Sequence, residues 1–263
     1  MSARTVTSLN NPLVKAARAL HMRKARQASG LFLAEGLKLI VEAVELGRTP
    51  TTLLYAAEAA GLPAFRRVLH ATNRTGGEVV EVSHAILEKV SRRDNPQAVV
   101  AVFSQASAAL SDVDPAGAPA WVALEGVRDP GNLGAIVRTV DAAGAGGVIL
   151  IGETCDPYSV EAVRATMGSI FAVPIYRASA SAFAAWRGAW PGSVVGTLLS
   201  AEVDYRAAAY RSPTLILMGP EQAGLSAALA QLCDVVVKIP MRGRADSLNL
   251  AVATGVMLYA AIP

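Results

Sequence analysis

The sequence predicts an α/β protein of two domains, and three observations carry that prediction. A chain of 263 residues exceeds the usual size of one domain, and a hydrophobic content of 52% is enough to fill more than one core. Short apolar runs alternate with amphipathic stretches along most of the chain. Residues 104–119, rich in Ala, Ser, Asp and Pro, interrupt this alternation. We therefore predict a domain over residues 1–104, a linker over 105–119 and a second domain over 120–263.

The first domain opens with a basic stretch that predicts a helix around Pro12–Gln27. Four apolar runs then predict strands, namely LFLA, TTLLY, EVVEV and AVVAVF. Amphipathic helices are predicted after two of these runs, at Leu37–Leu46 and His84–Val90. This alternation is typical of βαβ units, so we expect a small α/β domain.

The second domain contains stronger apolar runs, in the order WVAL, VILI, AVPIY, SVVGTLL, TLILM and VVVKIPM. Nearly continuous Val, Ile and Leu in short strands indicates burial on both faces, which is typical of a parallel sheet covered by helices. A final helix is predicted near Leu248–Ala261. We expect a doubly wound α/β unit.

Composition argues against several classes of protein. The apolar stretches are shorter than the roughly 20 residues that cross a bilayer, and the first residues lack a signal-peptide core, so we expect a cytoplasmic protein without a membrane partner. Cys155 and Cys233 are far apart and have no neighbouring histidine. Buried thiols are therefore expected, and neither a disulfide nor a metal site.

Positive charge is concentrated at one end of the chain. Residues 1–34 contain six basic side chains and no acidic one, whereas the formal net charge of the whole chain is +3. The six are Arg4, Lys15, Arg18, Arg23, Lys24 and Arg26. Such a patch attracts polyanions at long range, although an ordinary solvated helix face explains it equally well.

Open parallel sheets bind ligands beyond the carboxyl ends of their strands, so the loop after WVAL is a candidate site. Pro130, Gly131 and Gly134 predict a tight turn into a helix, with Asn132 as a candidate N-cap. Arg138 follows within two turns of that helix. Amides and a cation at a helix start suit an anionic partner, and a plain turn with Arg138 in solvent is the alternative.

The loop after TLILM carries two glycines, Gly219 and Gly224, which permit a ligand to approach the backbone closely. Ser226 is a candidate cap of the next helix. Glu221 has no partner evident in the sequence. Its carboxylate could meet Arg138, a ligand hydroxyl, or only the dipole of the helix that follows.

The loop after VVVKIP places Ser247 and Asn249 at the start of an apolar helix. One of the two is needed as an N-cap, which leaves the other without a structural explanation. Arg242 and Arg244 add positive charge to the same loop.

In this order the three loops resemble the three motifs of the SpoU/TrmH branch of the SPOUT methyltransferases, N-x-G-x-x-x-R, G-x-E-x-x-G-L-S and I-P-M-x-G-x-x-x-S-L-N. The match runs through residues 120–263. The segment Phe32–Lys38 resembles the F-x-x-E-G-x-x sequence of the RNA substrate-binding domain that often precedes this family's catalytic domain. The resemblance therefore covers nearly the whole chain.

The resemblance implies a SPOUT-type α/β domain with a parallel sheet and a trefoil knot, preceded by a smaller α/β domain of the L30e-like type. It implies that S-adenosylmethionine is bound within the knot and that its methyl group is transferred to a ribose 2′-hydroxyl of structured RNA. By analogy with the family, the resemblance also implies ribosomal RNA in preference to transfer RNA, since a separate N-terminal domain is present. The resemblance further implies a homodimer with the active site near the subunit interface, and a reaction that requires no metal.

The resemblance also assigns residues. Cofactor contacts are implied for Thr197, Gly219, Ile239, Met241 and Leu248. The polar set around the reacting ribose is implied to be Asn132, Arg138, Glu221, Ser247 and Asn249. The second motif departs from its relatives, since Pro220 and Gln222 stand where many have Asn and Gly, which leaves the backbone path of that loop open.

Two questions stay open. Arg138 is either a base with a depressed pKa or a charged clamp on an RNA phosphate, because a guanidinium strongly resists deprotonation. A non-catalytic RNA-binding protein would explain the basic N-terminus without explaining the three polar loops. A nucleotide-dependent oxidoreductase is disfavoured, because Gly144, Gly146 and Gly147 lack the G-x-G-x-x-G spacing.

Overall fold

The computed structural model describes residues 4–106 and 108–262. These residues form two compact units, and the first unit runs to Gln105 and takes in Tyr158–Phe171. The second unit comprises Ala106–Pro157 and the chain from Ala172 onward. Ser107 of the predicted linker, and the predicted domain ends at residues 1–3 and 263, lie outside the described residues. The division into a substrate-binding and a methyltransferase domain stays a prediction.

The first unit is a mixed sheet with helices. Its elements are β1 (Arg4–Val6), α1 (Pro12–Ala19), α2 (Arg23–Ser29), β2 (Leu31–Glu35), α3 (Leu37–Glu45), β3 (Thr52–Tyr55), α4 (Pro63–Arg74), β4 (Glu78–Val82), α5 (His84–Ser91) and β5 (Val99–Ser104). The strand order is β1-β4-β3-β5-β2. β4 pairs in parallel with β1 and β3, whereas β5 is antiparallel to β2 and β3. The four predicted apolar runs all form strands, and β1 and α4 are additional.

The single basic helix predicted over residues 12–27 is wrong, because the chain turns between α1 and α2. The main chain of Leu20 and Met22 bonds three residues back, and Met22 is extended. The guanidinium of Arg26 caps the break by donating to the carbonyls of Leu20 at 2.7 Å and His21 at 3.0 Å. Arg26 is only 3% exposed, so this cation of the N-terminal patch has a structural role.

The second unit is a parallel sheet with helices. Its elements are β6 (Ala120–Glu125), α6 (Pro130–Ala142), β7 (Val148–Ile151), β8 (Ile175–Ala178), α8 (Ala180–Arg187), β9 (Val194–Thr197), β10 (Val203–Asp204), β11 (Thr214–Met218), α9 (Ala227–Ala230), β12 (Val235–Lys238) and α10 (Leu250–Ala261). A further helix of the chain, α7 (Val160–Ala165), belongs to the first unit.

The sheet of the second unit has the order β10-β12-β9-β11-β6-β7-β8, and every recorded strand pair in it is parallel. This confirms the expected parallel sheet. Strands β6, β7 and β11 are buried along almost their whole length, as continuous aliphatic runs require. The carboxyl ends of β9, β11 and β12 therefore lie side by side at one edge. Within the described residues, no helix is long and apolar enough to span a bilayer.

Residues 158–171 pack among the strands and helices of the first unit. The ring of Phe32 lies 4.8 Å from that of Tyr158, and the ring of Phe103 lies 4.7 Å from that of Phe171. The side chain of Glu35, 5% exposed, accepts hydrogen bonds from Nε of Arg164 at 3.1 Å and from its terminal guanidinium nitrogen. Phe32 and Glu35 of the F-x-x-E-G sequence thus contact residues 158–171, which follow β7 in the chain.

Candidate functional site

A cavity of about 260 Å³ lies at the carboxyl ends of β9, β11 and β12 in the second unit. All five residues with predicted cofactor contacts line it, namely Thr197, Gly219, Ile239, Met241 and Leu248. Glu221 and Ser247 of the predicted polar set line it as well. We refer to this cavity as the pocket. The roles of these residues stay predictions, but the fold brings them together around one space.

Sequence reasoning missed several residues that line the same pocket. They are Leu198, Leu199, Ser200, Met218, Ala223, Leu250 and Ala253, whereas Gly224 and Gln222, which also line the pocket, lie in the second motif as the sequence indicated. Each of them lies close in sequence to a residue with a predicted cofactor contact. Their position next to the motif residues, directly after a buried strand, was the signal available in the sequence.

The backbone of the second loop is tightly folded around Gly219. A Cβ atom at Gly219 would lie 2.1 Å from the carbonyl carbon of Gly224 and from the amide nitrogen of Leu225, so no larger residue fits. Gly224 has a φ of +68° and donates its amide to the carbonyl of Pro220 at 2.9 Å. Pro220 therefore fits this loop, because its carbonyl accepts the hydrogen bond that closes the turn. Glu221 and Gln222 lie within that turn.

Thr197 contributes an unusual polar atom at the end of β9. Its hydroxyl oxygen is buried and has no hydrogen-bond partner among the described residues. An unpaired buried hydroxyl costs free energy unless a ligand or water completes it. With the apolar side chains of Leu198 and Leu248 nearby in the lining, the pocket suits a ligand that is largely apolar and carries a few polar groups.

Three side chains from the three loops form one hydrogen-bonded row, which we call the polar triad. Asn132 donates its amide to Oε1 of Glu221 at 2.8 Å, and its Oδ1 accepts from Nδ2 of Asn249 at 2.8 Å. Glu221 thus meets Asn132, and no bond to Arg138 is formed in the described residues. The main chain of Ser226 donates to Glu125 Oε2 at 2.8 Å, which further ties the second loop to the end of β6.

The helix caps explain why the side chain of Asn132 is free to join the polar triad. The expectation that Asn132 is the N-cap of α6 is wrong, because Asp129 is the cap and its carboxylate accepts from the main chain of Asn132 at 2.7 Å. The sequence did hold this signal, since Asp before Pro is typical of an N-cap followed by N1. Ser226 is confirmed as the cap of α9, and Asn249 caps α10, which leaves Ser247 exposed in the pocket lining.

Arg138 is the predicted residue that the structure does not bring to the polar triad. It lies on α6 six residues after Asn132, a rotation of about 240° around the helix, and its side chain is exposed. Within residues 4–106 and 108–262 its guanidinium has neither a hydrogen bond nor an ion pair, and it is not among the pocket residues. Its cation is therefore free to meet a group from outside the chain.

Cys155 and Cys233 both have thiols whose pKa is raised. Burial and, to a smaller extent, the negative charges of Asp129, Glu221 and Asp156 together raise the pKa of Cys155 to about 11. Burial likewise raises the pKa of Cys233 to about 12. Both thiols therefore stay protonated near neutral pH. The described residues contain no group of three or more His, Cys, Asp or Glu side chains placed to hold a metal ion.

Comparison with known proteins accounts for both halves of the sequence. A model of the SpoU rRNA methylase family matches residues 119–259, and a model of the MRM3-like substrate-binding domain matches residues 11–101. A 23S rRNA uridine-2′-O-methyltransferase of Streptomyces viridochromogenes is 35% identical over 99% of this chain and 92% of its own length. A 23S rRNA guanosine-2′-O-methyltransferase of Bacillus subtilis is 29% identical over 97% of each chain.

Solved structures agree with this assignment. The crystal structure of an AdoMet-bound rRNA methyltransferase from Sinorhizobium meliloti shares 50% sequence identity and covers 98% of this chain and 97% of that chain, with a TM-score of 0.92. The SpoU methyltransferase AviRb of Streptomyces viridochromogenes, in complex with AdoMet, is 32% identical over 96% of this chain and 97% of that chain, with a TM-score of 0.85. The chain belongs to the SpoU rRNA methylase family.

Proposed function

We propose that the chain transfers a methyl group from S-adenosylmethionine to a ribose 2′-hydroxyl of ribosomal RNA. The observation that carries the proposal is the polar triad of Asn132, Glu221 and Asn249, which joins the loops after β6, β11 and β12 next to the pocket. Helix capping explains only part of this arrangement, since Asn132 and Glu221 cap nothing. Polar groups that are organised yet exposed are available to a substrate.

The lining of the pocket, which is mostly apolar with a few polar groups, suits S-adenosylmethionine. Gly219 leaves room for close main-chain contact, and the unpaired hydroxyl of Thr197 offers a hydrogen bond. Main-chain groups near Ile239 and Met241 would hold the polar ends of the ligand. When bound, the cofactor supplies an electrophilic methyl group on sulfur. Relatives crystallised with AdoMet support this choice of ligand.

The side chains of this protein would act mainly by placing the ribose. The polar triad and Ser247 would hold the 2′-hydroxyl in line with the methyl group, and correct alignment of two reactants is worth roughly 7–11 kcal/mol of the barrier. Arg138 would complete the site, either by accepting the hydroxyl proton or by clamping the neighbouring phosphate.

A homodimer would explain how Arg138 reaches a site. Helix α10 follows the pocket directly, and it is apolar on nearly every side. Its outer side chains Val252 and Tyr259 are 53% and 63% exposed. Such a surface suits a second copy of the chain, and the exposed Arg138 would then complete a site shared between copies. Sedimentation should give a dimer at micromolar concentration, and Val252→Asp with Tyr259→Asp should shift it to monomer.

Three finer features follow from family membership and remain part of the proposal. The C-terminal chain after β12 would be tucked through a loop as a trefoil knot, which is rare among folds in general. The first unit would be of the L30e-like type, which its mixed sheet accommodates. The protein would act in the cytoplasm, without a membrane or a metal.

The choice of ribosomal RNA is supported by the names of the relatives, which act on 23S rRNA. One of them modifies a uridine and the other a guanosine, so the base is left open. The decisive experiment is transfer of radiolabelled methyl groups to unmodified 23S rRNA and, in parallel, to unmodified transfer RNA. We expect the label on one ribose of 23S rRNA.

Two variants sharpen this experiment. Arg138→Ala should lose transfer and Asn132→Ala should slow it, while both variants should retain binding of S-adenosylmethionine in calorimetry. The alternative of a non-catalytic RNA-binding protein predicts no transfer and no cofactor binding by the wild type. Label on transfer RNA alone would contradict the proposed ribosomal RNA substrate but would still support methyl transfer as the reaction.

A further inference from the structure

Helix α4 of the first unit has one apolar side and one strongly basic side. Phe65, Val68 and Thr72 are buried, and the ring of Phe65 packs 4.6 Å from that of Tyr55 on β3. The outward side chains include Arg66, Arg67, His70 and Arg74, all of them exposed. The helix contains no acidic residue. Packing therefore fixes the helix and holds its cations in solvent.

The basic side chains follow one line along α4. Arg66, His70 and Arg74 are four residues apart, so they lie on one side of the helix over about 12 Å. Among the described residues none of these three forms an ion pair. Arg67 does pair with Glu45 at 3.3 Å, but both side chains are more than half exposed and such pairs are weak. The part of the unit that the structure describes therefore places no acidic partner on Arg66 or Arg74.

The row borders an open groove of about 580 Å³. The other side of the groove is formed by Val44 at the end of α3 and by Gly47 and Thr49 in the loop that follows. We call this groove, with the cations of α4, the α4 groove. Its length and its spaced charges suit an extended polyanion, whereas a single small anion would need cations that converge on one point.

We propose that the α4 groove binds the phosphate backbone of the RNA substrate. This inference rests on the proposed function, because it takes the polyanion to be the RNA that is methylated. Guanidinium groups favour phosphate oxygens, and a row of cations contacts successive phosphates without reading their sequence. The groove would hold the RNA at a point other than the methylated ribose.

The test is a full-length variant with Arg66→Gln and Arg74→Gln. Affinity for an unmodified 23S rRNA transcript, measured by filter binding at several salt concentrations, should fall about tenfold near physiological salt. The slope of log K against log salt should become shallower by roughly 1.4 to 2, because two phosphate contacts are lost. In methylation, KM for RNA should rise while kcat at saturating RNA and calorimetric binding of S-adenosylmethionine stay unchanged.

A matched control removes the same charge elsewhere in the unit. Lys15 and Lys24 are exposed on α1 and α2, so Lys15→Gln with Lys24→Gln tests the N-terminal patch and the net charge together. Equal losses in the two variants, or a loss in the control alone, would overturn the α4 groove. A variant with Arg66→Lys and Arg74→Lys, which keeps the charges, should retain most of the affinity.

The same measurements distinguish a failure of the α4 groove from misfolding of the variant and from a failure of the proposed function. Circular dichroism spectra that match the wild type show that the Gln variant is folded. If the wild type binds RNA through the α4 groove but transfers no methyl group, the proposed function fails and the groove stands. If wild-type methylation is robust and the Gln variant binds RNA with wild-type affinity, the groove fails and the function stands.

Discussion

The two units each join distant parts of the chain with polar side chains, but they use them differently. In the first unit, Glu35 and Arg164 are 129 residues apart, and the carboxylate is buried with 5% exposure. In the second unit, the polar triad joins loops 89 and 117 residues apart, yet Asn132, Glu221 and Asn249 remain accessible. Buried polar pairs fix a fold, whereas organised and accessible ones can also hold a ligand. The contrast leads us to expect a role in stability for the first set and a role in binding for the second.

The largest effect that would sharpen this contrast is expected from Gly219→Ala. The added Cβ would lie 2.1 Å from main-chain atoms of Gly224 and Leu225, so the loop around Glu221 must move. We expect loss of S-adenosylmethionine binding in calorimetry and loss of methyl transfer. Gly188→Ala is the matched control, because its Cβ would find only an ordinary contact at 3.7 Å. Cofactor binding by the Gly219→Ala protein at wild-type affinity would show that the loop does not form the pocket.

The second prediction concerns the buried pair of the first unit. Glu35→Gln leaves Arg164 without its carboxylate, and breaking a buried pair costs about 3–5 kcal/mol. Since Arg164 is 32% exposed, we expect a smaller loss of about 2–3 kcal/mol in the free energy of unfolding, measured with urea. Glu45→Gln, which breaks the exposed pair with Arg67, should change it very little. Equal changes in the two variants would remove the distinction between buried and exposed pairs.

The third prediction concerns the polar triad of the second unit, where we expect a loss of activity without a loss of stability. Asn132→Ala removes both hydrogen bonds of the polar triad, one to the charged Glu221 and one to the neutral Asn249, and because these groups are accessible, water can replace the bonds at little cost in stability. We expect kcat for methylation to fall about 10- to 100-fold while thermal stability and cofactor affinity change little. Asn95→Ala, an exposed asparagine of the first unit, is the control. If Asn132→Ala instead destabilises the fold as strongly as Glu35→Gln, the triad is structural.

Much of the fold was predictable because its strands are continuous aliphatic runs. WVAL, VILI and TLILM are buried on both faces of the sheet, and burial of that kind leaves a local pattern that identifies a strand without knowledge of its neighbours. The short strands β1 and β10 leave no such pattern. Their residues become strands only through pairing with β4 and β12, which lie far along the chain.

The site was predictable to the level of its loops. The pocket residues follow parallel strands, and the geometry of such sheets brings the carboxyl ends of those strands together. The pairing of Asn132 with Glu221 and Asn249 was not predictable, because it depends on distances between loops far apart in sequence. The packing of residues 158–171 in the first unit was missed for the same reason, since its partners Phe32 and Glu35 are more than 120 residues away.

The smallest predicted effect concerns the two thiols and pH. Burial raises the pKa of Cys155 to about 11 and that of Cys233 to about 12, above the value of about 8.5 to 9 of a thiol in an unfolded chain. The native state therefore holds protons that the unfolded state releases, so the stability that these groups contribute is present below pH 9 and declines as pH rises toward 11 and 12. Urea unfolding at pH 8 and pH 10 should show this decline, and Cys155→Ala with Cys233→Ala should reduce it. Alkylation by iodoacetamide at pH 8 should be slow in the native protein and fast in urea, whereas rapid native alkylation of Cys155 would mean that its thiolate is stabilised after all.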